Sequence, residues 1–172
     1  MKIPHNPNEV LAIVDENDNI IGQEIRKEIH SKGLLHRETY CYIINFKKQL
    51  LLQKRADNNL WDNTIAGHFP YTQNFEEAII REAEEEIGLK IRIEELKLIT
   101  KEKINNGNKL NNRIIKVFLL QKDIKIEDLK LDLEEVAEMK YFNKEELEKL
   151  LSTNDMTNTS KYIINKYFLS QI

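Results

Sequence analysis

The chain has 172 residues, 41% of them hydrophobic and 32% charged, with 26 lysines and arginines against 29 aspartates and glutamates. That length predicts one compact domain with a real core, and the hydrophobic fraction with balanced charge excludes intrinsic disorder. A net charge of −3 argues against a nucleic-acid binder that relies on a bulk positive field. No apolar run approaches the roughly 20 residues that span a bilayer. The segment from Met1 to Pro7 lacks the apolar stretch of a signal peptide, and one cysteine, Cys41, fits a reducing compartment. Composition therefore predicts a soluble, cytoplasmic protein with neither nucleic acid nor membrane as partner.

In chain order, Val10–Val14 and Ile20–Ile25 are apolar runs separated by the turn residues Asp15 to Asn19, which predicts a hairpin. Thr39 to Phe46 and Leu50 to Lys54 predict a second hairpin, and Thr64 to Gly67 a short strand. From Asn74 to Ile87 the period changes: Phe75, Ile79, Ala83 and Ile87 recur every four residues, the mark of one buried helix face. Asn74 and Glu77 have the spacing of a capping box, and Gly88 stands where a left-handed C-terminal cap belongs. Lys90 to Ile104 and Arg113 to Gln121 read as strands joined by the polar segment Asn105 to Asn108, and Glu138 to Phe142 as a further strand. Asn143 is placed to cap a helix running through Leu151, with Glu146 at its third position. Ser152 to Ser160 reads as a loop, and Lys161 to Leu169 as an amphipathic helix with Tyr162, Ile163, Tyr167 and Phe168 on its apolar side, packed on this domain or on a partner, including a second copy in a homodimer. Strands interleaved with a few helices make an α/β domain.

The helix from Asn74 carries six glutamates, Glu76, Glu77, Glu82, Glu84, Glu85 and Glu86, against Arg81 alone. Residues three and four apart share a face, so Glu82, Glu85 and Glu86 form one carboxylate patch. Like charges at that spacing destabilise an isolated helix by about 0.2–0.5 kcal/mol per pair, which makes sense where a cation occupies the patch. Oxygen-only ligands select hard ions such as Mg²⁺ or Mn²⁺. A solvated glutamate-rich helix face is the alternative that a charge run alone favours.

Context decides between them. From Gly67 the sequence runs through Gln73, then seven residues, then Arg81-Glu82-Ala83-Glu84-Glu85-Glu86-Ile87-Gly88-Leu89. This resembles the Nudix signature, with Gly67, Arg81, Glu82, Glu85, Glu86 and Gly88 in register. Six matches of roughly 7% usage each have a chance on the order of one in ten million per start position. Two positions depart: Gln73 stands where the family has a glutamate, and Ala83 where it has a larger aliphatic residue. Glutamine accepts a hydrogen bond but cannot act as a base.

The resemblance extends over about residues 9–150 of a single domain covering the whole chain, with the C-terminal helix, about 158–170, as an appendage. Val10 to Arg26, Glu28 to Arg37, Leu50 to Arg55, Trp61 to His68 and Leu133 to Phe142 look like the branch related to type I isopentenyl-diphosphate isomerase. It implies a Nudix-type α/β/α sandwich with a mixed β-sheet. The isomerase moves protons with a cysteine and a glutamate; here the cysteine position is Ala66, and the later strand reads Asn111-Asn112-Arg113-Ile114 without its carboxylates. The loop before Trp61 is also shortened.

What the resemblance implies is therefore hydrolysis of a small-molecule diphosphate with Mg²⁺ or Mn²⁺ held by Glu82, Glu85 and Glu86, the Gly67 carbonyl being a further ligand. Arg81 braces the site, and Glu134 or Glu135 supplies a general base or extra ligand. A degenerate domain that binds a phosphorylated ligand without efficient turnover, motivated by Gln73, is the second reading, and the isomerase the third. Lys54, Arg55, His36, His68 and Trp61 are weaker candidates for substrate contact, each with a structural alternative: a solvated strand end, a core histidine or a packed ring. His30, His36 and His68 correspond to the isomerase's metal histidines, one residue short in spacing. Cys41 inside a strand reads as an inert buried thiol.

Overall fold

The computed structural model describes residues 6–105 and 107–172. The leader reading on residues 1–5 and the Asn106 position of the polar connector lie outside the described residues. Among the described residues nine strands form one mixed sheet: β1 (Val10–Val14), β2 (Ile20–Ile25), β3 (His36–Ile44), β4 (Leu50–Arg55), β5 (Trp61–Asp62), β6 (Ile65–Gly67), β7 (Leu96–Ile104), β8 (Arg113–Gln121) and β9 (Val136–Phe142). The centre is β3, which runs parallel to β8 over its whole length and antiparallel to β4 and β6, while β9 pairs antiparallel with β4. None of the helices among the described residues is long and apolar enough to cross a membrane.

The continuous apolar runs of β3, β4 and β8 follow from burial on both faces of the sheet. Side chains alternate with the pleat, so Cys41, Ile43, Leu51, Ile114 and Phe118 enter one core cluster and Tyr40, Tyr42, Leu50, Leu52, Ile115 and Val117 the other. Helix α2 (Phe75–Ile87) closes the first face through Phe75, Ala78, Ile79, Ala83 and Ile87. Helix α3 (Lys144–Leu151) and the C-terminal helix α4 (Asn158–Ile163) close the second through Leu147, Leu150, Ile163, Ile164 and Phe168. This is the expected α/β/α sandwich. Cys41 is fully buried, and burial pushes its thiol up to about 12, as an inert core residue requires.

Several boundaries differ from the expectations, each for a local reason. Helix α1 (Arg26–Lys32) is an element the hydrophobic period does not announce: it has seven residues, one buried side chain (Ile29) and no side-chain N-cap. Strand β7 starts at Leu96 rather than Lys90, because the Glu95 carboxylate accepts the Arg92 N–H at 2.9 Å and winds Ile93–Glu95 into a 3₁₀ turn. The terminal helix begins at Asn158, three residues before its apolar period starts at Lys161, where the Thr157 hydroxyl accepts the Ser160 N–H at 3.3 Å. It continues as a π-helical turn over Ile164–Phe168, and this widening turns Ile164 into the core while Tyr162 stays 37% exposed. The apolar side of the helix packs on its own sheet, the first of the two expected arrangements.

Helix α2 is fixed at both ends. The Asn74 side chain accepts the Glu77 N–H at 2.8 Å while the Glu77 carboxylate accepts the Asn74 N–H at 3.0 Å, and Gly88 adopts φ 67°. A Cβ at Gly88 would stand 2.8 Å from the Lys130 Cβ, so the position needs glycine for space as well as for conformation. Asn74→Ala is expected to cost about 1 kcal/mol and Asn74→Asp much less, measured by urea unfolding. An alanine variant as stable as the parent contradicts the cap.

Candidate active site

The exposed end of α2 and the β4–β6 segment enclose a cleft of about 610 Å³. Glu82, Glu85 and Glu86 line it together with Arg81, Gly67, Glu135, Arg55 and His68. Helical spacing alone puts the three carboxylates on one side, but packing grades them: Glu82 and Glu86 are buried and Glu85 is exposed. Glu135 is half-buried on the cleft wall whereas Glu134 points to solvent, which separates two neighbours the sequence left equal.

Arg81 organises this cluster. Its guanidinium donates to Glu85 at 2.6 Å, to Glu82 at 2.8 Å, to the Gln73 side-chain carbonyl at 3.2 Å and to the His68 backbone carbonyl at 3.4 Å. Gln73 thus keeps the hydrogen bond a glutamate would make to this arginine, without the charge. Gly67 lies directly under Glu82: a Cβ there would fall 2.2 Å from the Glu82 Oε1, so the strand end must be glycine for the buried carboxylate to fit. Burying carboxylates costs several kcal/mol each unless they are paired. Carboxylate oxygens gathered at one helix end beside a close backbone are the donor set of a hard divalent ion, and these residues fit one.

A second network lies beside it and was not read from the sequence. Glu38, next to Arg37 at the start of β3, pairs with the buried Arg113 of β8 and accepts the Tyr40 hydroxyl. Burial alone would raise the Glu38 carboxyl, but the Arg113 guanidinium, His68 and the Tyr40 hydrogen bond outweigh it and hold the group well below the usual carboxylate range. Glu38, Tyr40 and Arg113 all line the cleft, as do Arg26 and Ala66. The signal available for Glu38 is that a charge inside a two-sided apolar strand requires a partner; Arg26 was hidden with the rest of α1.

His30, His36 and His68 converge, their ligand atoms all within 4.8 Å of one another. The His36 Nδ1 donates to the Leu34 carbonyl at 2.9 Å, which leaves its Nε2 as acceptor for the His68 Nε2 at 3.1 Å. Burial pushes His36 down to about 4 and His68 well below its usual value, and burial with the Arg26 charge lowers His30, so all three are neutral at pH 7. Neutral imidazoles suit a borderline ion such as Zn²⁺. The positive charges of Arg26 and Arg113 and the negative charge of Glu38, whose carboxylate stands 3.7 Å from the His68 Nδ1, act on this cluster in opposite directions. His36 is fully buried beneath His68 rather than on the cleft wall.

Two weaker candidates stand apart from the cleft. The Trp61 ring packs edge-on against Phe142 with centroids 4.8 Å apart, and the Lys54 ammonium lies 5.9 Å from the Trp61 ring centroid. Arg55 does reach the cleft, held by Asp57 at 2.7 Å and by the buried Asp62 at 3.4 Å. The C-terminal helix contributes through the same aspartate: Thr157 and Ser160 donate to Asp62 at 2.7 and 2.6 Å, and Thr159 accepts from Arg113 at 3.0 Å.

Comparison with known proteins bears on the family and the fold. The family model of the NUDIX domain matches residues 34–165. An uncharacterized Nudix hydrolase of Clostridium acetobutylicum is 29% identical, with 95% of this chain and 86% of that protein covered. Isopentenyl-diphosphate Delta-isomerase 2 of Photorhabdus laumondii is 31% identical over 84% of this chain and 82% of its own length. Among solved structures, a Deinococcus radiodurans protein superposes with a TM-score of 0.74 at 17% identity, covering 92% of this chain and 98% of its own. The NUDIX domain of Shewanella oneidensis NrtR, complexed with ADP ribose, superposes with a TM-score of 0.59 at 13% identity over 77% of this chain and 84% of its own. With three quarters of its length matched by the domain model, and the signature glutamates, Arg81 and Gly67 lining one cleft, the chain belongs to the NUDIX domain family.

Proposed function

We propose that the protein hydrolyses a diphosphate linkage in a nucleoside diphosphate derivative or related metabolite, with Mg²⁺ or Mn²⁺ held by Glu82, Glu85 and Glu86. The observation that supports this reading is that those carboxylates and Glu135 line one cleft, with Glu82 and Glu85 braced by Arg81 and Glu82 backed by Gly67. When bound, the ion neutralises charge developing on the phosphoryl oxygens and makes water a better nucleophile. Glu135, which lines the same cleft, is the group this reading assigns to take the water's proton. A bond forms from water oxygen to phosphorus, the bridging P–O bond breaks, and two phosphorylated products leave. Arg81 holds Glu82 and Glu85 in place rather than touching substrate, since its donors are committed to the site itself. The Gly67 carbonyl is a further candidate ligand.

Relatives named as isopentenyl-diphosphate isomerases raise the alternative of carbon-centred proton transfer. Ala66 lines the cleft where that chemistry needs an acid, and the Arg113 guanidinium is tied to Glu38. Neither residue exchanges a proton with carbon. The hydrolase reading is therefore the one the side chains support.

Glu85→Gln and Glu86→Gln are each expected to lower kcat by about 100-fold or more, as losing several kcal/mol of metal-derived stabilisation dictates. Phosphate-release assays over nucleoside triphosphates, nucleotide sugars, dinucleotides and prenyl diphosphates measure this, with EDTA abolishing activity and Mg²⁺ or Mn²⁺ restoring it. Turnover that persists in both variants contradicts the assignment. Gln73→Glu is expected to change kcat by less than about threefold, because the hydrogen bond to Arg81 is already made. A rise above tenfold would mean that the glutamine leaves the parent a degraded catalyst, the binding-module reading.

A further inference from the structure

Two hydroxyls at the start of the terminal helix meet on one carboxylate of the cleft wall. Thr157 donates to the Asp62 Oδ1 at 2.7 Å and Ser160 at 2.6 Å, and the Asn63 N–H donates to the same oxygen at 3.0 Å. Backbone bonds fix the approach: the Trp61 N–H donates to the Asp155 carbonyl at 2.8 Å and the Thr157 N–H to the Trp61 carbonyl at 3.0 Å. A carboxylate offers about four acceptor positions over its two oxygens, so these donors fill Oδ1 and leave Oδ2 for a further partner. Capping explains why Thr157 accepts the Ser160 N–H at 3.3 Å, but not why its own proton goes to Asp62.

The partner of Oδ2 is Arg55. Its NH1 stands 3.4 Å away, longer than the roughly 2.7–2.9 Å of a charge-assisted bond. Asp57, exposed and off the cleft wall, takes the opposite edge of the guanidinium, accepting from Nε at 2.9 Å and from NH2 at 2.7 Å. Arginine beside a carboxylate favours a two-bond fork. Asp62 does not form one, because the helix hydroxyls and Asn63 hold its other oxygen. Arg55 also stands at the acidic end of the cleft: it faces Val136 across β4 and β9, and the Ala56 N–H donates to the Glu135 carbonyl at 2.9 Å.

Resting on the reading of this cleft as a diphosphate site, we infer that Thr157 and Ser160 are positioning residues for substrate binding, which act through Asp62 to keep the Arg55 guanidinium directed at the phosphoryl oxygens beside Glu135. Without the Thr157 hydroxyl, Asp62 turns both oxygens on Arg55 and neutralises the charge the substrate needs. Without the Asp62 carboxylate, Asp57 draws the guanidinium toward solvent. The terminal helix thus sets a binding group on a strand that it does not otherwise touch through that side chain.

A double-mutant cycle on binding tests this. Calorimetry of the full chain with Mg²⁺ gives the Kd of methylenediphosphonate, a diphosphate analogue whose bridge is not hydrolysed. Arg55→Gln, Thr157→Val and Asp62→Asn are each expected to weaken binding about fivefold or more, while Thr157→Val made in the Arg55→Gln protein adds less than about twofold. Thr157→Ser, which keeps the hydroxyl, is expected to bind as the parent does. A residue that only caps its helix loses the same amount in either background, so an undiminished loss in the Arg55→Gln protein overturns the inference. A Thr157→Val protein that binds like the parent overturns it too, as does a parent that binds no diphosphonate. Should Thr157→Val not fold, Asp62→Asn and Arg55→Gln carry the same cycle. Turnover in the phosphate-release assays is read separately. Coupling without turnover of any compound overturns the hydrolase reading alone, and turnover without coupling overturns the inference alone.

Discussion

Everything at the active end of this molecule depends on accommodating two buried carboxylates, Glu82 and Glu86, in the last turns of one helix. A helix C-terminus carries the negative end of the macrodipole, so this is an unfavourable place for acid side chains. The fold offsets the cost locally. Arg81 clamps Glu82 and Glu85, Gly67 leaves the space that Glu82 fills, and Gln53 offers its amide to Glu86. The capping box at Asn74 and the left-handed Gly88 hold the helix in register so that these contacts can form. A helix so expensive in like charge is best understood as a holder for a cation.

The remainder of the cleft is positioned by the other layer. Asp62, on a two-residue strand, receives hydroxyl donors from Thr157 and Ser160 at the start of the terminal helix and turns its second oxygen toward Arg55. Tyr42 of the central strand joins through Ser160 at 3.1 Å. The C-terminal helix therefore does two things at once: its apolar side completes the second core and its N-terminus sets the polar wall opposite α2.

Much of this was legible from residue order. The four-residue period of Phe75, Ile79, Ala83 and Ile87 and the capping pair around Asn74 describe a self-contained helix, and such local signals survive folding unchanged. The carboxylate patch was legible for the same reason. Helix α1 was not, because seven residues with one buried side chain give no period to detect. The Glu38–Arg113 pair was invisible because it joins strands 75 residues apart, and the role of Asp62 because its partners lie 95 and 98 residues away. The terminal helix was placed, and Ile163, Tyr167 and Phe168 of its expected face do pack on the core; Tyr162 alone departs, and Ile164 joins the core where the π-helical turn breaks the 3.6-residue period. Trp61 and Lys54 show the opposite error: residue types suited to ligands that tertiary packing turned on each other and on Phe142.

Among the described residues, two groups could hold a metal: the oxygen set on α2 and the imidazoles of His30, His36 and His68. The account gives the working ion to the first. Titration of the protein with Mn²⁺, followed by electron paramagnetic resonance, distinguishes them directly. Weakening of Mn²⁺ binding by about tenfold or more in Glu86→Gln, with His36→Ala binding as the parent does, is the result the account predicts. Binding unchanged in Glu86→Gln and lost in His36→Ala would contradict it.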